Sequence, residues 1–177
     1  MKMTWCALAM GLVMAGTAAA DPKPLDAAAM RLLREAGAVS YARQAPYGGG
    51  IAALYLGYNA AGEAVIGVAA KETKTYRKAL TLIAVEPADG KFKIRAAEIP
   101  DLAEFHGKSQ DLARGALKNI AGRVLADEAE ARGLVDAVTG ATKYLEAIYV
   151  SYSYLAGKVI AELKAGPAWE RQPLPTP

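Results

Sequence analysis

Cysteine and histidine are almost absent from this chain, and their scarcity excludes several kinds of site. The 177 residues include one cysteine, Cys6, and one histidine, His106. A thiolate metal centre, an iron–sulfur cluster or a covalently attached haem each needs several such ligands. A solitary histidine is more often a surface or capping residue than a metal ligand or a base. Because Ser151 and Ser153 have no histidine nearby in the sequence, a hydrolase triad is not supported either.

The chain also lacks a strong excess of charge of either sign. The formal net charge is +3 at pH 7, and the basic residues form no run and no pattern interleaved with aromatic residues. The sequence therefore does not indicate a nucleic-acid-binding surface. A hydrophobic content of 53% with charges of both signs is typical of a globular chain. The length suits one domain with its own core.

Residues 1–20 have the pattern of a secretory signal peptide. Lys2 gives a positive start, an apolar stretch runs from Trp5 to Gly16, and small residues precede Asp21. Cleavage before Asp21 would remove Cys6 and leave an exported chain without cysteine. The alternative is a retained membrane anchor, although the apolar stretch is shorter than the ~20 residues that a span needs. We therefore expect a periplasmic or secreted protein with no membrane span in the mature chain.

The rest of the chain divides into three parts. Residues 21–46 are predicted to form an N-terminal helix, at 25–36, followed by a linker. Residues 47–165 are predicted to form one domain, and residues 166–177 a proline-rich tail that is extended or mobile. The helix at 25–36 is expected to end at Gly37.

The domain is predicted to begin with four β-strands. Two turn signals, at 59–62 and 87–90, each join a pair of them into a hairpin. The polar segment Lys71–Thr75 is predicted to break the chain between the hairpins. Two successive hairpins predict a mostly antiparallel sheet with one covered face. The four predicted strands are residues 51–58, 63–70, 79–86 and 91–98.

Helical patterns follow the predicted strands. A short helix is expected at 102–107, and Ser109 is a candidate N-cap for a helix over 110–125. The most regular spacing of apolar residues in the chain, at intervals of three and four, predicts a long helix from Lys143 to Lys164. The sequence therefore predicts an α+β domain, in which a mostly antiparallel sheet of two hairpins packs against helices.

A turn of small residues, Asp136-Ala137-Val138-Thr139-Gly140-Ala141-Thr142, lies directly before the long helix. Helix N-termini carry unpaired N–H groups and the positive end of the peptide dipole, so such a turn suits a phosphate. The hydroxyl of Thr142 would place a phosphate against those groups, and Gly140 and Ala141 would keep the approach open. Asp136 is a candidate for orienting the segment. The alternative is that Thr139 or Thr142 serves only as a helix cap.

The pattern Asp-x-x-Thr-Gly-Ala-Thr resembles the flavinylation site of a family of FMN-binding domains. These domains occur in subunits of sodium-pumping NADH:quinone reductases, in Rnf-type complexes and in related secreted flavoproteins. In that family a flavin transferase uses FAD to attach FMN, through its phosphate, to the last threonine of the motif. The resemblance implies that Thr142 carries covalent FMN. It also implies that the other motif residues help to form the site, namely Asp136, Thr139, Gly140 and Ala141.

Segments upstream of the motif are similar to the family as well. The Gly48–Gly50 loop, the hairpin over 51–70 and Glu72-Thr73 resemble its glycine-rich loop, its hairpin and its Glu-Thr-Pro-Gly segment. This resemblance makes Glu72 and Thr73 candidate flavin contacts. The segment Phe105-His106-Gly107-Lys108-Ser109 is similar to a Phe-x-Gly-Lys-Ser patch.

The chain departs from the family pattern in two places. Lys143-Tyr144-Leu145 follows the attachment threonine, where family members often have x-Thr-Ser. Lys74-Thr75 stands where the family often has Pro-Gly. These departures affect the surroundings of the flavin and leave the modification motif intact.

The resemblance implies an FMN-binding-domain-like fold and a role in electron transfer. The expected partners are the flavin transferase and a membrane-bound or exported redox protein, and a carrier is favoured over a self-sufficient enzyme. Two alternatives are a flavin-dependent reductase of a small acceptor and an exported binding module that carries no flavin. Tyrosines of the long helix are candidates for stacking on a flavin ring, although such a series is more often core. They are Tyr144, Tyr149, Tyr152 and Tyr154.

Overall fold

The computed structural model of the chain describes residues 24–74, 78–104, 107–135 and 143–176. Within these residues the protein is α+β, with four α-helices and one antiparallel sheet of seven strands. The helices are α1 (Pro24–Glu35), α2 (Lys108–Ile120), α3 (Glu128–Arg132) and α4 (Lys143–Ala165). The strands are β1 (Ser40–Gln44), β2 (Ile51–Tyr58), β3 (Ala64–Lys74), β4 (Lys78–Ala88), β5 (Lys91–Glu98), β6 (Val124–Leu125) and β7 (Arg171–Pro173).

Both predicted hairpins, β2–β3 and β4–β5, are present, and the sheet order is β6-β5-β4-β3-β2-β1-β7. The β4–β5 turn is Asp89-Gly90, with φ angles of 48° and 73°. Positive φ at both turn residues matches the twist of paired antiparallel strands, and an Asp-Gly pair adopts it readily. In the β2–β3 turn, the backbone N–H of Glu63 donates to Asn59 Oδ1 at 3.0 Å. Local turn chemistry thus explains why the sequence reveals these hairpins.

Helices cover both faces of the sheet, so the prediction of one covered face is wrong. On one face α1 packs Leu32 and Leu33 into a buried cluster. On the other, α4 packs Val159 and Ile160 into a second cluster. Strands that are buried on both faces carry nearly continuous apolar residues rather than an alternating pattern. In β2, for example, Ala52 is exposed and the other residues are buried.

On each face a glycine lets the covering helix approach the sheet closely. Gly57 of β2 faces α1, and a Cβ atom at this position would lie 2.8 Å from Leu33 Cδ2. Gly67 of β3 faces α4, and a Cβ atom there would overlap Val159 Cγ1. Such close packing leaves no room for a methyl group at either position.

Strand β3 continues to Lys74, through the segment that the sequence predicts to be a polar break. Residues 71–74 pair with residues 78–81 of β4. Because this ladder satisfies the backbone hydrogen bonds, polar side chains do not end the strand here. The side chains alternate between the faces, so that Thr73 is buried and Glu72 is exposed.

Helix α2 is shorter than predicted and begins differently. It ends at Ile120, and Gly122, with a φ of 83°, redirects the chain so that Val124 and Leu125 pair with β5. The prediction of Ser109 as N-cap is wrong, because the helix already begins at Lys108. Gly107 occupies the cap position without a side-chain hydrogen bond.

The predicted linker and the predicted tail both contribute strands. Strand β1, within the segment 21–46, pairs with β2, and β7, within the tail, pairs with β1. The tail is extended as expected, and it is docked on the domain. The N–H of Leu174 donates to Val39 O at 3.0 Å, and Arg34 Nη2 donates to Pro175 O at 3.0 Å. Proline is tolerated there because an edge strand needs hydrogen bonds on one side only.

Helix α4 is the long helix that the sequence predicts, with 23 residues. Its fully buried residues face the sheet, in contact with β3 and β4. Neither α4 nor any other helix in the described part of the chain is long and apolar enough to cross a membrane.

We predict that Gly67→Ala lowers the free energy of unfolding by about 1–3 kcal/mol, because the added methyl group must displace Val159 of α4. Gly115→Ala is the control, because nothing lies within 4 Å of a Cβ atom built at Gly115 in α2. This second change should raise stability by up to about 1 kcal/mol, the difference in helix propensity. Urea denaturation measures both effects. Unchanged stability of the Gly67→Ala variant would contradict the close approach of α4 to β3.

Candidate functional site

The predicted attachment motif lies outside the described residues, between the segments that end at 135 and begin at 143. The helix that the sequence places directly after the motif is present, since α4 begins at Lys143. Among the described elements, α4 follows the motif in the chain, and it packs against β3 and β4. The motif residues outside the described segments are Asp136, Thr139, Gly140, Ala141 and Thr142.

Hydroxyl groups hold the N-terminal half of α4 against the sheet. Ser151 Oγ lies 2.7 Å from both Thr73 Oγ1 and Thr81 Oγ1, and the two threonine oxygens are 2.9 Å apart. At 1.5 Å of rise per residue, Lys143 lies ~12 Å before Ser151 along the helix axis. The start of α4 therefore extends past these threonines, toward the end of the sheet where Lys74 pairs with Lys78.

The hydroxyl cluster is satisfied internally. Thr81 Oγ1 also donates to Lys71 O at 3.0 Å, and all three side chains are buried. The three hydroxyls hydrogen-bond to one another and to a carbonyl, so each of them already has a partner within the protein. The structure thus brings Thr73, a predicted flavin contact, to α4, where its hydroxyl bonds to Ser151 and Thr81.

Glu72 lies on the opposite face of the sheet from α4. It alternates with Thr73 along β3, and its carboxylate lies 3.1 Å from Lys78 Nζ in an exposed ion pair. Of the two predicted contacts in this segment, only Thr73 therefore shares a face with α4. The sequence does not show that Glu72 and Thr73 lie on opposite faces, because its polar residues predict a loop here rather than a strand.

The tyrosines of α4 divide between core and surface. Tyr149 and Tyr152 are buried, as a core interpretation of the series predicts. Tyr152 Oη donates to Glu98 O at 2.6 Å, and burial raises the pKa of this phenol well above its usual value. Tyr154 is half-buried and lines a cleft. The side chain of Tyr144 lies outside the described part of the structure.

Two adjoining cavities line the exposed flank of α4, and we call them together the α4 cleft. The first, of about 440 Å³, lies between α4, the Gly48–Gly49 loop and Trp169 of the tail. The second, of about 390 Å³, lies between α4 and α3. Tyr154 and Lys158 line both cavities. Their sizes fall in the range of small-molecule sites.

Tyr47 and Trp169 form the aromatic end of the α4 cleft. Their ring centroids are 6.1 Å apart, with an interplanar angle of 65°, an edge-to-face geometry that aromatic pairs favour. Tyr47 Oη donates to the carboxylate of Glu162. Burial, helped by this hydrogen bond, raises the pKa of Tyr47 to about 12. The phenol is therefore protonated at neutral pH and engages the carboxylate.

The sequence reveals only part of the α4 cleft. It marks the Gly48–Gly50 loop, and Tyr154 within the long helix, but it does not show that Trp169 returns to Tyr47. The one available signal is a tryptophan in a proline-rich tail, where a mobile segment would gain nothing from a large apolar side chain. Of the predicted patch at 105–109, Phe105 and His106 lie outside the described residues.

The described residues offer no group of three or more His, Cys, Asp or Glu side chains that could share a metal ion. Comparison of the chain with models of known families, with curated proteins and with solved structures found no match.

We predict that the hydroxyl cluster couples α4 to the β3–β4 hairpin. Ser151→Ala should lower the free energy of unfolding by about 1–2 kcal/mol, because it removes a buried hydrogen-bond partner from two threonines. Combined with Thr73→Val, the two losses should be non-additive by at least about 0.5 kcal/mol. Urea denaturation of both single variants and the double variant tests this. Ser40→Ala, in β1, is the distant partner for an additive control, and additivity with Thr73→Val would contradict the coupling.

Proposed function

We propose that this protein is an exported electron-transfer flavoprotein in which FMN is attached covalently, through its phosphate, to Thr142. The observation that carries the proposal is the motif Asp136-x-x-Thr-Gly-Ala-Thr directly before α4. Its resemblance to the flavinylation site of FMN-binding domains names the residue, the cofactor and the bond. The predicted signal peptide is consistent with export, where a covalent tether prevents loss of the cofactor by dilution.

The position of α4 supports a phosphate at this point. The described part of α4 starts at Lys143, the residue after Thr142, and the first backbone N–H groups of a helix have no acceptor within it. These groups and the helix dipole favour an anion at the N-terminus. A phosphodiester at Thr142 is the proposal that the motif and the helix after it support together.

The attachment itself would require a flavin transferase and FAD. The Thr142 hydroxyl oxygen would form a bond to the phosphorus of the FMN half of FAD. The bond between the two phosphates of FAD would break, and AMP would leave with the hydroxyl proton taken up by solvent or by the leaving phosphate. The protein would gain the mass of FMN less one water molecule.

Bound FMN would supply the ability to accept and donate one or two electrons, and the chain would hold it and tune it. The proposed partners are a membrane-bound or exported donor protein and an acceptor protein. The α4 cleft favours a second candidate function, a flavin-dependent reductase of a small acceptor, because such an enzyme needs a substrate pocket near the flavin. A binding module without flavin is the third candidate.

We predict that the full chain, exported together with a flavin transferase, gains the mass of FMN less one water molecule. Thr142→Val should abolish the gain, because no hydroxyl remains to form the ester. Thr142→Ser should retain it, since serine also fits the last position of the motif. Intact-mass spectrometry and flavin fluorescence of the denatured protein provide the measurements. Absence of flavin from the wild-type chain, or its retention in Thr142→Val, would refute the assignment.

A carrier and a reductase are expected to differ in how the reduced protein is reoxidised. The reduced flavinylated chain should transfer electrons to redox proteins much faster than to small soluble acceptors if it is a carrier. Stopped-flow absorbance of the flavin with each class of acceptor distinguishes the two. Rapid, saturable reoxidation by a small acceptor would favour the reductase.

A further inference from the structure

Positive side chains outnumber unpaired carboxylates around the α4 cleft. Lys158 and Arg132 line the cleft, and Lys71 lies next to it. None of these three side chains forms an ion pair with another residue in the described segments. Two carboxylates also line the cleft. Glu128 lies 3.0 Å from Lys164 Nζ in an ion pair, whereas Glu162 accepts from the neutral Tyr47 phenol and keeps its negative charge.

Tyr154 brings two of these cations to the centre of the cleft. Lys71 Nζ lies 4.8 Å and Lys158 Nζ 5.8 Å from the centroid of the Tyr154 ring, which is within the range of cation–π attraction. The ring attracts the ammonium groups electrostatically and still leaves their hydrogen-bond donors available to an anion.

Three aromatic side chains lie beside these cations. The rings of Tyr47, Tyr154 and Trp169 line the same cavity of about 440 Å³. The Gly48–Gly49 loop adds backbone without side chains, and a Cβ atom at Gly49 would overlap the Tyr154 hydroxyl. An aromatic ring can pack on such surfaces at little cost in conformational entropy, because the tyrosine and tryptophan side chains have few rotatable bonds.

We infer that the α4 cleft is a binding site for a small aromatic anion, whose ring packs against Tyr47, Tyr154 and Trp169 and whose negative group meets Lys158, with Lys71 and Arg132 nearby. Lys158 and three aromatic side chains line the cavity of about 440 Å³, Arg132 lines the adjoining cavity, and Lys71 contacts the Tyr154 ring. A neutral aromatic compound would gain no ion pair with the cations, and an aliphatic anion would gain no contact with the rings through an aromatic face.

The test uses 2-naphthoate as the aromatic anion and the full chain made without a flavin transferase. Because Thr142 then carries no flavin, the result is independent of the proposed flavinylation. Isothermal titration calorimetry should show one binding site for 2-naphthoate. The uncharged 2-naphthamide should bind at least about tenfold more weakly, since a lost charged contact is worth about that factor. The non-aromatic cyclohexanecarboxylate keeps the charge but loses the ring contacts, and it should also bind about tenfold more weakly.

The fluorescence emission of Trp169 shows whether the ligand binds in the α4 cleft. The chain has two tryptophans, so Trp5→Phe leaves Trp169 as the single fluorophore of this type. Naphthoate should change its emission with the same dissociation constant that calorimetry gives. Saturable binding without a change in Trp169 emission would overturn the assignment to the α4 cleft.

Charge variants test the role of Lys158. Lys158→Gln should weaken naphthoate binding about tenfold and leave naphthamide binding unchanged. Lys118→Gln, an exposed lysine of α2 away from the cleft, should leave both unchanged. Arg132→Gln removes a positive charge on the α3 side of the cleft and should also weaken naphthoate binding. The inference is overturned if no saturable binding occurs, if naphthoate and naphthamide bind equally, or if Lys158→Gln and Lys118→Gln have the same affinity.

Discussion

The packing of α4 against β3 and β4 is the contact on which the rest of the structure depends. Apolar burial supplies most of its free energy, but an apolar interface alone does not determine how far a helix slides or rotates on a sheet. Three local features do so. The missing side chain of Gly67 admits Val159, Ser151 meets the hydroxyls of β3 and β4, and Tyr152 donates to the backbone of β5. All three contacts are buried, so the loss of any one of them would lower the free energy of unfolding.

The same helix connects the two proposed sites. Its first residue follows Thr142, and its flank carries Tyr154 and Lys158 of the α4 cleft. Lys143 and Tyr154 are separated by ~16 Å along the helix axis, at 1.5 Å per residue. Because a helix packed on a sheet is rigid, this separation is set by backbone geometry rather than by a loop.

The central strands of the sheet were predictable from the sequence, and the edge strands were not. The hairpins β2–β3 and β4–β5 are evident in the sequence, because their strands and turns lie close together and the turn residues have conformational preferences of their own. Strands β1, β6 and β7 are not evident, because each is five residues or shorter. Residues that pair only with partners far along the chain leave little local periodicity. The proline-rich tail becomes a strand because β1 offers it a free edge.

In the candidate site, too, the local features were predictable from the sequence, and the contacts between distant residues were not. By itself the sequence determines the helix that begins at Lys143, because its apolar residues recur at the helical period over many turns. It also contains the threonine motif before that helix and the signal-peptide pattern, which remain the basis of the functional proposal. Only the tertiary structure decides that Thr73 faces α4 while Glu72 faces away, and that Trp169 returns to Tyr47 to close the α4 cleft. The physical reason is that periodicity and turn preference act between neighbours in the chain, whereas the face and the partner of each side chain depend on residues far away in the sequence.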